Sequence, residues 1–226
     1  MKSNMKVDGL QELELCAASC LHDLLNPLTS LSLYIELLSQ EKNPSYNLKH
    51  LSESSAEITK FSKQISLFLK GSTKIEVFDI SILIRSTALL LHTELRKNNI
   101  EFIIKSKGNI KIQANPLSIQ RIFLNILSNS IDSYNGISDR KKKIIIDIKS
   151  YKENINIYIK DYGCGMDKNT LSRCLDLRFT NKPNGNGIGL WNVCLLVKKL
   201  NGTIKITSVP NSGTCVNLRF PTQCKK

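Results

Sequence analysis

The chain contains no run of 18 or more apolar residues, and its first residues, MKSNMKVDG, have no apolar centre. Neither a membrane-spanning helix nor a secretory leader is therefore read from it, and a cytoplasmic protein is expected. Seven cysteines, at 16, 20, 164, 174, 194, 215 and 224, are odd in number, scattered, and form no CxxC pair. That excludes a zinc-ribbon spacing and a disulfide framework and leaves reduced thiols as the plain reading. Aromatic residues make up only 6% of the chain, too few for a base-stacking surface. There is also no GxxxxGK[ST] and no GxGxxG. Acidic residues are scarce, 19 against 32 Lys and Arg, a net charge of +13. The excess is not uniform: residues 1–74 carry 8 Lys and 8 acidic residues, so all of it lies in 75–226. Its lysines are dispersed, which fits a solvated surface, and no nucleic-acid partner is expected.

What the chain does have is Asn184-Gly185-Asn186-Gly187-Ile188-Gly189-Leu190-Trp191, three glycines on alternate positions running into an apolar helix. Glycine lets backbone approach a phosphate closely, and a helix that begins there aims N–H groups at an anion. With 226 residues and 41% hydrophobic content, one or two packed domains are possible, and the charge asymmetry favours two, 1–74 and 75–226.

In the first part, apolar residues recur at 10, 13, 17, 20, 24, 28, 31, 35 and 38, the seam of one long amphipathic helix. Glu41-Lys42-Asn43-Pro44-Ser45 breaks it, and a second run follows at 48, 51, 55, 58, 61, 65 and 68, with Ser55 its one polar member. A helical hairpin ending at Gly71-Ser72-Thr73 results. Two helices bury little alone, so a homodimer forming a four-helix bundle is expected. His22 lies about 200° around the helix from Cys20 and from Leu24, off the seam and toward solvent. Pro27 bends the helix one turn later. Asp23 can orient a ring nitrogen of His22 or accept its proton, leaving the other nitrogen as a nucleophile, and Asn26, one turn on, can hold a water.

In the second part the spacing predicts a strand at Glu76-Val77-Phe78, a helix over 80–97, strands over 100–105 and 110–114, and a helix over 116–134 with apolar positions 117, 119, 122, 123, 126, 127 and 131. Strands over 144–150 and 155–161, an irregular stretch 162–186, a helix over 188–200 and a hairpin of 203–209 with 214–220 complete it. Mostly antiparallel strands with three helices make a two-layer α/β sandwich, so the whole chain is α+β. Asn125 and Asn129 share one helix face, and neutral amide oxygens suit a Mg²⁺ that keeps waters and phosphate oxygens. Asp161-Tyr162-Gly163-Cys164-Gly165 ends a strand with a carboxylate able to accept from an exocyclic amine, followed by glycines that let a flat ring lie against backbone. Arg178-Phe179-Thr180-Asn181-Lys182-Pro183 offers two cations for phosphate oxygens.

Together and in this order these residues resemble the transmitter region of a sensor histidine kinase. His22-Asp23-x-x-Asn26-Pro27 resembles that family's phosphoacceptor motif, Asn125-x-x-x-Asn129 its asparagine motif, Asp161-x-Gly163-x-Gly165 its first glycine motif and Gly185-x-Gly187-x-Gly189-Leu190 its second; Leu200 to Ile204 and Gly213-Thr214 are similar to its last strands. The resemblance covers the chain from about residue 10. It implies a dimeric hairpin followed by a Bergerat-type ATP-binding sandwich, with the γ-phosphate of ATP passed to His22 and then to an aspartate of a response regulator. It further implies Asp23 as general base, Asn129 as the main Mg²⁺ ligand with Asn125 assisting, and Asp161 as the adenine contact. Lys182 and the amides from Gly185 through Gly187 and Gly189 to Leu190 would hold phosphate, and Asn26 would position water for dephosphorylating the regulator.

Three departures stand out. Ser130 follows Asn129 where relatives usually have alanine. Leu177-Arg178-Phe179 stands where proline and phenylalanine are common, so Arg178 either weakens the apolar docking of the lid or adds a phosphate contact. Only 19 residues separate Gly165 from Gly185, a short lid. Nothing before residue 10 reads as a sensor, so the expectation is a piece of a longer protein or a chain that takes its signal from a partner. The rival reading is an ATP-gated conformational module without histidine phosphotransfer, as in chaperone and mismatch-repair relatives of the fold. Those usually carry an acidic residue where this chain has Asn125, and an amide does not activate water.

Overall fold

The computed structural model describes residues 35, 74–182 and 187–222, and the chain divides at Gly71–Ser72 into two units. The expected hairpin, with His22, Asp23, Asn26 and Pro27, therefore lies outside the described residues except for Ile35, which is helical and exposed. Gly185 lies outside them as well.

The second unit opens with β1 (Glu76–Asp79), whose last residue starts the next element: the Asp79 carboxylate accepts from the N–H groups of Ser81 (2.7 Å) and Ile82 (3.2 Å), capping α1 (Ile80–Leu90). The sequence pattern runs on to residue 97, but the helix breaks at Leu91 (φ −104°, ψ 11°) and restarts as α2 (His92–Lys97). There the Leu91 N–H bonds to Ala88 O, a tighter step than the helical one. After β2 (Ile100–Ser106) and β3 (Lys111–Ala114) comes α3 (Pro116–Asp132), started by Asn115, whose side-chain oxygen accepts from Ser118 N–H, and by a proline in its first turn. Then follow β4 (Lys142–Ser150), β5 (Asn154–Asp161), α4 (Lys168–Arg173), α5 (Gly189–Lys199), β6 (Thr203–Val209) and β7 (Gly213–Pro221). Helix α4 corrects the reading of 162–186 as irregular throughout. Asp167 caps it by accepting from Thr170 N–H at 2.7 Å.

β1 and β3 form a small antiparallel pair; the main sheet has the order β2-β4-β5-β7-β6, antiparallel apart from the β2–β4 pair, which is parallel. A parallel pair needs a crossover, and α3 lies on it, between β3 and β4. Alternation decides which face of the sheet is covered: Ile144, Ile146 and Ile148 of β4 and Ile155, Ile157 and Ile159 of β5 are buried, as are Val216, Leu218 and Phe220 of β7. They pack against Ile119, Ile122, Phe123, Ile126 and Leu127 of α3 and Val193, Leu196 and Val197 of α5 in one core. This is the mixed α/β sheet with helices expected. Residues on the other face of β4 and β5 include Lys143, Lys149 and Lys160, whose ammonium groups lie over the rings of Tyr162 and Tyr158. Part of the basic excess thus lies on one sheet face, where the sequence had suggested only dispersal.

Candidate functional site

Helix α3 carries the site because its buried seam turns a polar edge outward. Asn125, Asn129 and Asp132 stand on that edge one turn apart in succession. Asn125 donates from Nδ2 to the carbonyl of Arg121 (3.1 Å), which fixes the amide and leaves its oxygen for other partners. The helix that follows the second glycine motif comes against the same edge. A methyl group at Gly189, the first residue of α5, would lie 3.4 Å from Asn125 Oδ1 and 4.0 Å from Asn129 Nδ2. The asparagine pair and the start of α5, far apart in sequence, thus meet in space, and α5 begins without a side-chain cap. Gly187 has φ +66°, and a Cβ there would fall 2.3 Å from the carbonyl carbon of Arg178, so the backbone at Gly187 packs directly on that at Arg178. Leu190 follows in the first turn of α5, half-buried.

Lys182 was expected to hold phosphate. Here its ammonium donates to Asn129 Oδ1 and to Asp132 Oδ2, both at 2.7 Å. A cation on the Asn129 oxygen, with a carboxylate three residues on, shows that this corner suits positive charge. No group of three or more His, Cys, Asp or Glu able to hold a metal occurs among the described residues. A site of amide oxygens that leaves most of the shell to water and phosphate is the donor set a Mg²⁺ accepts. Asp132 was missed in the sequence, though its spacing from Asn129 put it on the same edge. Arg178 is exposed, with φ 63°, and the described contacts give its guanidinium no phosphate-like partner to judge by.

Against an adjacent face of the same C-terminal turns of α3, Asp161 at the tip of β5 is only 4% exposed. Its Oδ1 accepts from the N–H groups of Gly163 and Thr214, each at 3.1 Å, and lies 3.3 Å from Ser133 Oγ; its Oδ2 accepts from Ser130 Oγ at 3.3 Å. Burial pushes the carboxyl above its ordinary value, and these four donors pull against it. The glycines of this motif are closely packed on one side. A Cβ at Gly163 would fall 2.0 Å from Ser133 Oγ, and one at Gly165 (φ +65°) 2.0 Å from the Val209 carbonyl oxygen. On the side where a Cβ would point, these positions are filled by Ser133 and the β6–β7 hairpin. The glycines hold the 162–166 turn against both. Tyr134, also missed in the sequence, is fully buried; its hydroxyl donates to Lys143 O (2.6 Å) and accepts from Lys143 N–H (3.2 Å) and Tyr162 N–H (2.7 Å), tying α3, β4 and the end of β5 together.

Residues 114–223 match the family of histidine kinase-, DNA gyrase B- and HSP90-like ATPases. This part of the chain is similar to the ATP-binding domains of that family. Across almost its whole length the chain is similar to sensor histidine kinases. It is 27% identical to the signal transduction histidine-protein kinase AtoS of Escherichia coli (strain K12) over 90% of this chain and 34% of that protein, and 28% identical to the sensor protein DegM of Bacillus sp. (strain B21-2) over 91% and 54%. The chain thus spans about a third to a half of these relatives. In fold it is similar to the catalytic domain of histidine kinase ThkA (TM-score 0.59, 21% identity, 66% of this chain and 97% of that one) and to ThkA in complex with the response regulator TrrA (TM-score 0.70, 18% identity, 97% and 64%). No helix among the described residues is long and apolar enough to cross a membrane.

Proposed function

We propose that the chain is the transmitter of a two-component system, an ATP-dependent protein-histidine kinase acting as a cytoplasmic homodimer, with residues 1–74 as the dimerisation and phosphotransfer hairpin and 75–226 as the ATP-binding domain. The observation that carries the reading is the meeting of Asn125, Asn129, Lys182 and the start of α5 on one edge of the C-terminal half of α3, with Asp161 held against Ser130 and Ser133 beside it. The first edge suits metal and phosphates, the neighbouring face a base. Asn129, with Asn125, would hold Mg²⁺, which draws charge from the phosphate oxygens. The N–H groups from Gly187 to Leu190 and the Lys182 ammonium would take phosphate oxygens, and Asp161 would accept from the adenine amine. Nitrogen of His22 attacks the γ-phosphorus, Asp23 takes the ring proton, and the bond to the ADP oxygen breaks. The phosphoryl group then passes to an aspartate of a response regulator, and Asn26 would position the water that later removes it.

The test is incubation with γ-labelled ATP and Mg²⁺, comparing the chain with its His22→Gln variant. Acid-labile, alkali-stable label that disappears in the variant is expected. Label on serine, or ATP turnover with no phosphoprotein, overturns the reading in favour of an ATP-gated module. Asn26→Ala should dephosphorylate the regulator slowly, and a full rate refutes the phosphatase role.

A further inference from the structure

We propose that Ser130 is a specificity-determining positioning residue: its hydroxyl keeps Asp161 a hydrogen-bond acceptor on both oxygens and so makes the site prefer 6-amino over 6-oxo purine nucleotides. This rests on the reading above that Asp161 contacts the base.

An ionised carboxylate only accepts, at roughly four lone-pair positions. Oδ1 takes two backbone N–H groups, from Gly163 and Thr214. Ser133 Oγ stands 3.3 Å from the same oxygen, but it has one proton and a nearer acceptor in the carbonyl of Ser130, at 2.7 Å. Oδ2 is different. Among the described residues its one donor is the Ser130 hydroxyl, and Asp161 is the one acceptor given for that hydroxyl. Ser130 and Asp161 are both at most 4% exposed, so water does not readily replace either partner. Oδ2 therefore keeps a lone pair for an outside donor. A purine 6-amine supplies one, whereas a 6-oxo group sets lone pair against lone pair.

The discrimination lasts only while the carboxyl is ionised, because a neutral carboxyl can donate to a 6-oxo group. Burial drives Asp161 toward the neutral form, and Ser130 is the donor that opposes this on Oδ2. The titratable and charged groups around Asp161 are Tyr134 just after α3, Cys215 from β7, Lys143 from β4, Lys160 beside it on β5, and Tyr162 just after that strand. Burial raises the Tyr134 phenol and the Cys215 thiol above their ordinary values, so neither changes charge between about pH 6 and 8. A change in base preference within that window reports Asp161.

The experiment measures dissociation constants of ATP and inosine triphosphate for the full chain with Mg²⁺, by calorimetry, at about pH 6 and pH 8. Wild type should prefer ATP by on the order of a hundredfold. In Ser130→Ala the preference should fall about tenfold at the lower pH and by less at the higher. Ser130→Cys, close in size and a weak donor, should lie between the two and guards against a folding defect in the alanine variant. Asp161→Asn, whose amide can donate to the oxo group, should narrow or reverse the preference at both pH values. A preference in Ser130→Ala that does not move, or moves equally at both pH values, overturns the role of Ser130. If Asp161→Asn also leaves the preference unchanged, the assignment of Asp161 to the base falls with it.

Discussion

Replacing Tyr134 by Phe keeps a fully buried ring in place and removes one oxygen, so the loss is of hydrogen bonds rather than packing. Three main-chain groups lose their partner: the carbonyl of Lys143 (2.6 Å), its N–H (3.2 Å) and the N–H of Tyr162 (2.7 Å). A buried group left unsatisfied costs about 1–3 kcal/mol, and the low end for each of three gives about 3 kcal/mol in all. For a domain of this size that lowers the melting temperature by about 6–12 °C. Urea unfolding of the full chain, followed by the fluorescence of its single tryptophan, Trp191 in the first turn of α5, reads the change directly. Because Tyr162 adjoins Asp161, nucleotide affinity should weaken in the same variant. A stability loss under about 1 kcal/mol would refute the claim that this hydroxyl pins three segments, since an ordinary single hydrogen bond is worth that much.

Gly165→Ala should destabilise far more than Gly108→Ala: both glycines have positive φ, +65° and +72°, but only the Cβ at 165 meets backbone, and thermal melts of the two variants separate clash from conformational strain. Lys182→Met and Asp132→Asn should each change stability by less than about 1 kcal/mol, because the pair is half-exposed, yet each should speed proteolytic cleavage between 166 and 187; the double variant should be cut no faster than either single one. Asp161, with a raised folded-state value, binds its proton more tightly folded than unfolded, so its contribution to stability is full below the ordinary carboxyl range and is lost as pH rises through the folded value. The stability of Asp161→Asn relative to wild type, from urea curves at several pH values, should therefore grow as pH rises from about 4 to 8.

Helix α3 was legible because burial and period agree: six of the seven apolar positions read from its spacing, 119, 122, 123, 126, 127 and 131, are buried, and Leu117 is half-buried. The strands were legible for the same reason, with Ile at alternate positions of β4 and β5. The break at Leu91 was not, since neither glycine nor proline marks it and the apolar pattern runs straight through. Helix α4 left one visible signal, Asp167 three residues before Thr170, in a stretch otherwise without period. In the site, Asn125, Asn129 and Asp161 could be named from spacing. The partners that set their chemistry could not. Ser133 reaches Asp161 across 28 residues and Lys182 reaches Asn129 across 53, and such pairings arise only once the chain has folded. At Gly163 and Gly165 the residue type was legible, but the neighbours that demand it, Ser133 and Val209, were not.

From Asn125 to its C-cap Ser133, helix α3 is a fixed ruler: its side chains reach the start of α5, Lys182 and Asp161 within about 12 Å of axis, at about 1.5 Å per residue. One residue inserted or deleted in that span would turn everything beyond it by about 100°, sending the downstream groups to different faces at once. Length change there is forbidden. The segment between Gly165 and Gly187 carries no such constraint on count, because its ends are fixed separately, one against Val209 and the other against Arg178. Variation in the length of this catalytic domain should therefore collect in the lid, while α3 between Asn125 and Ser133 changes only by substitution.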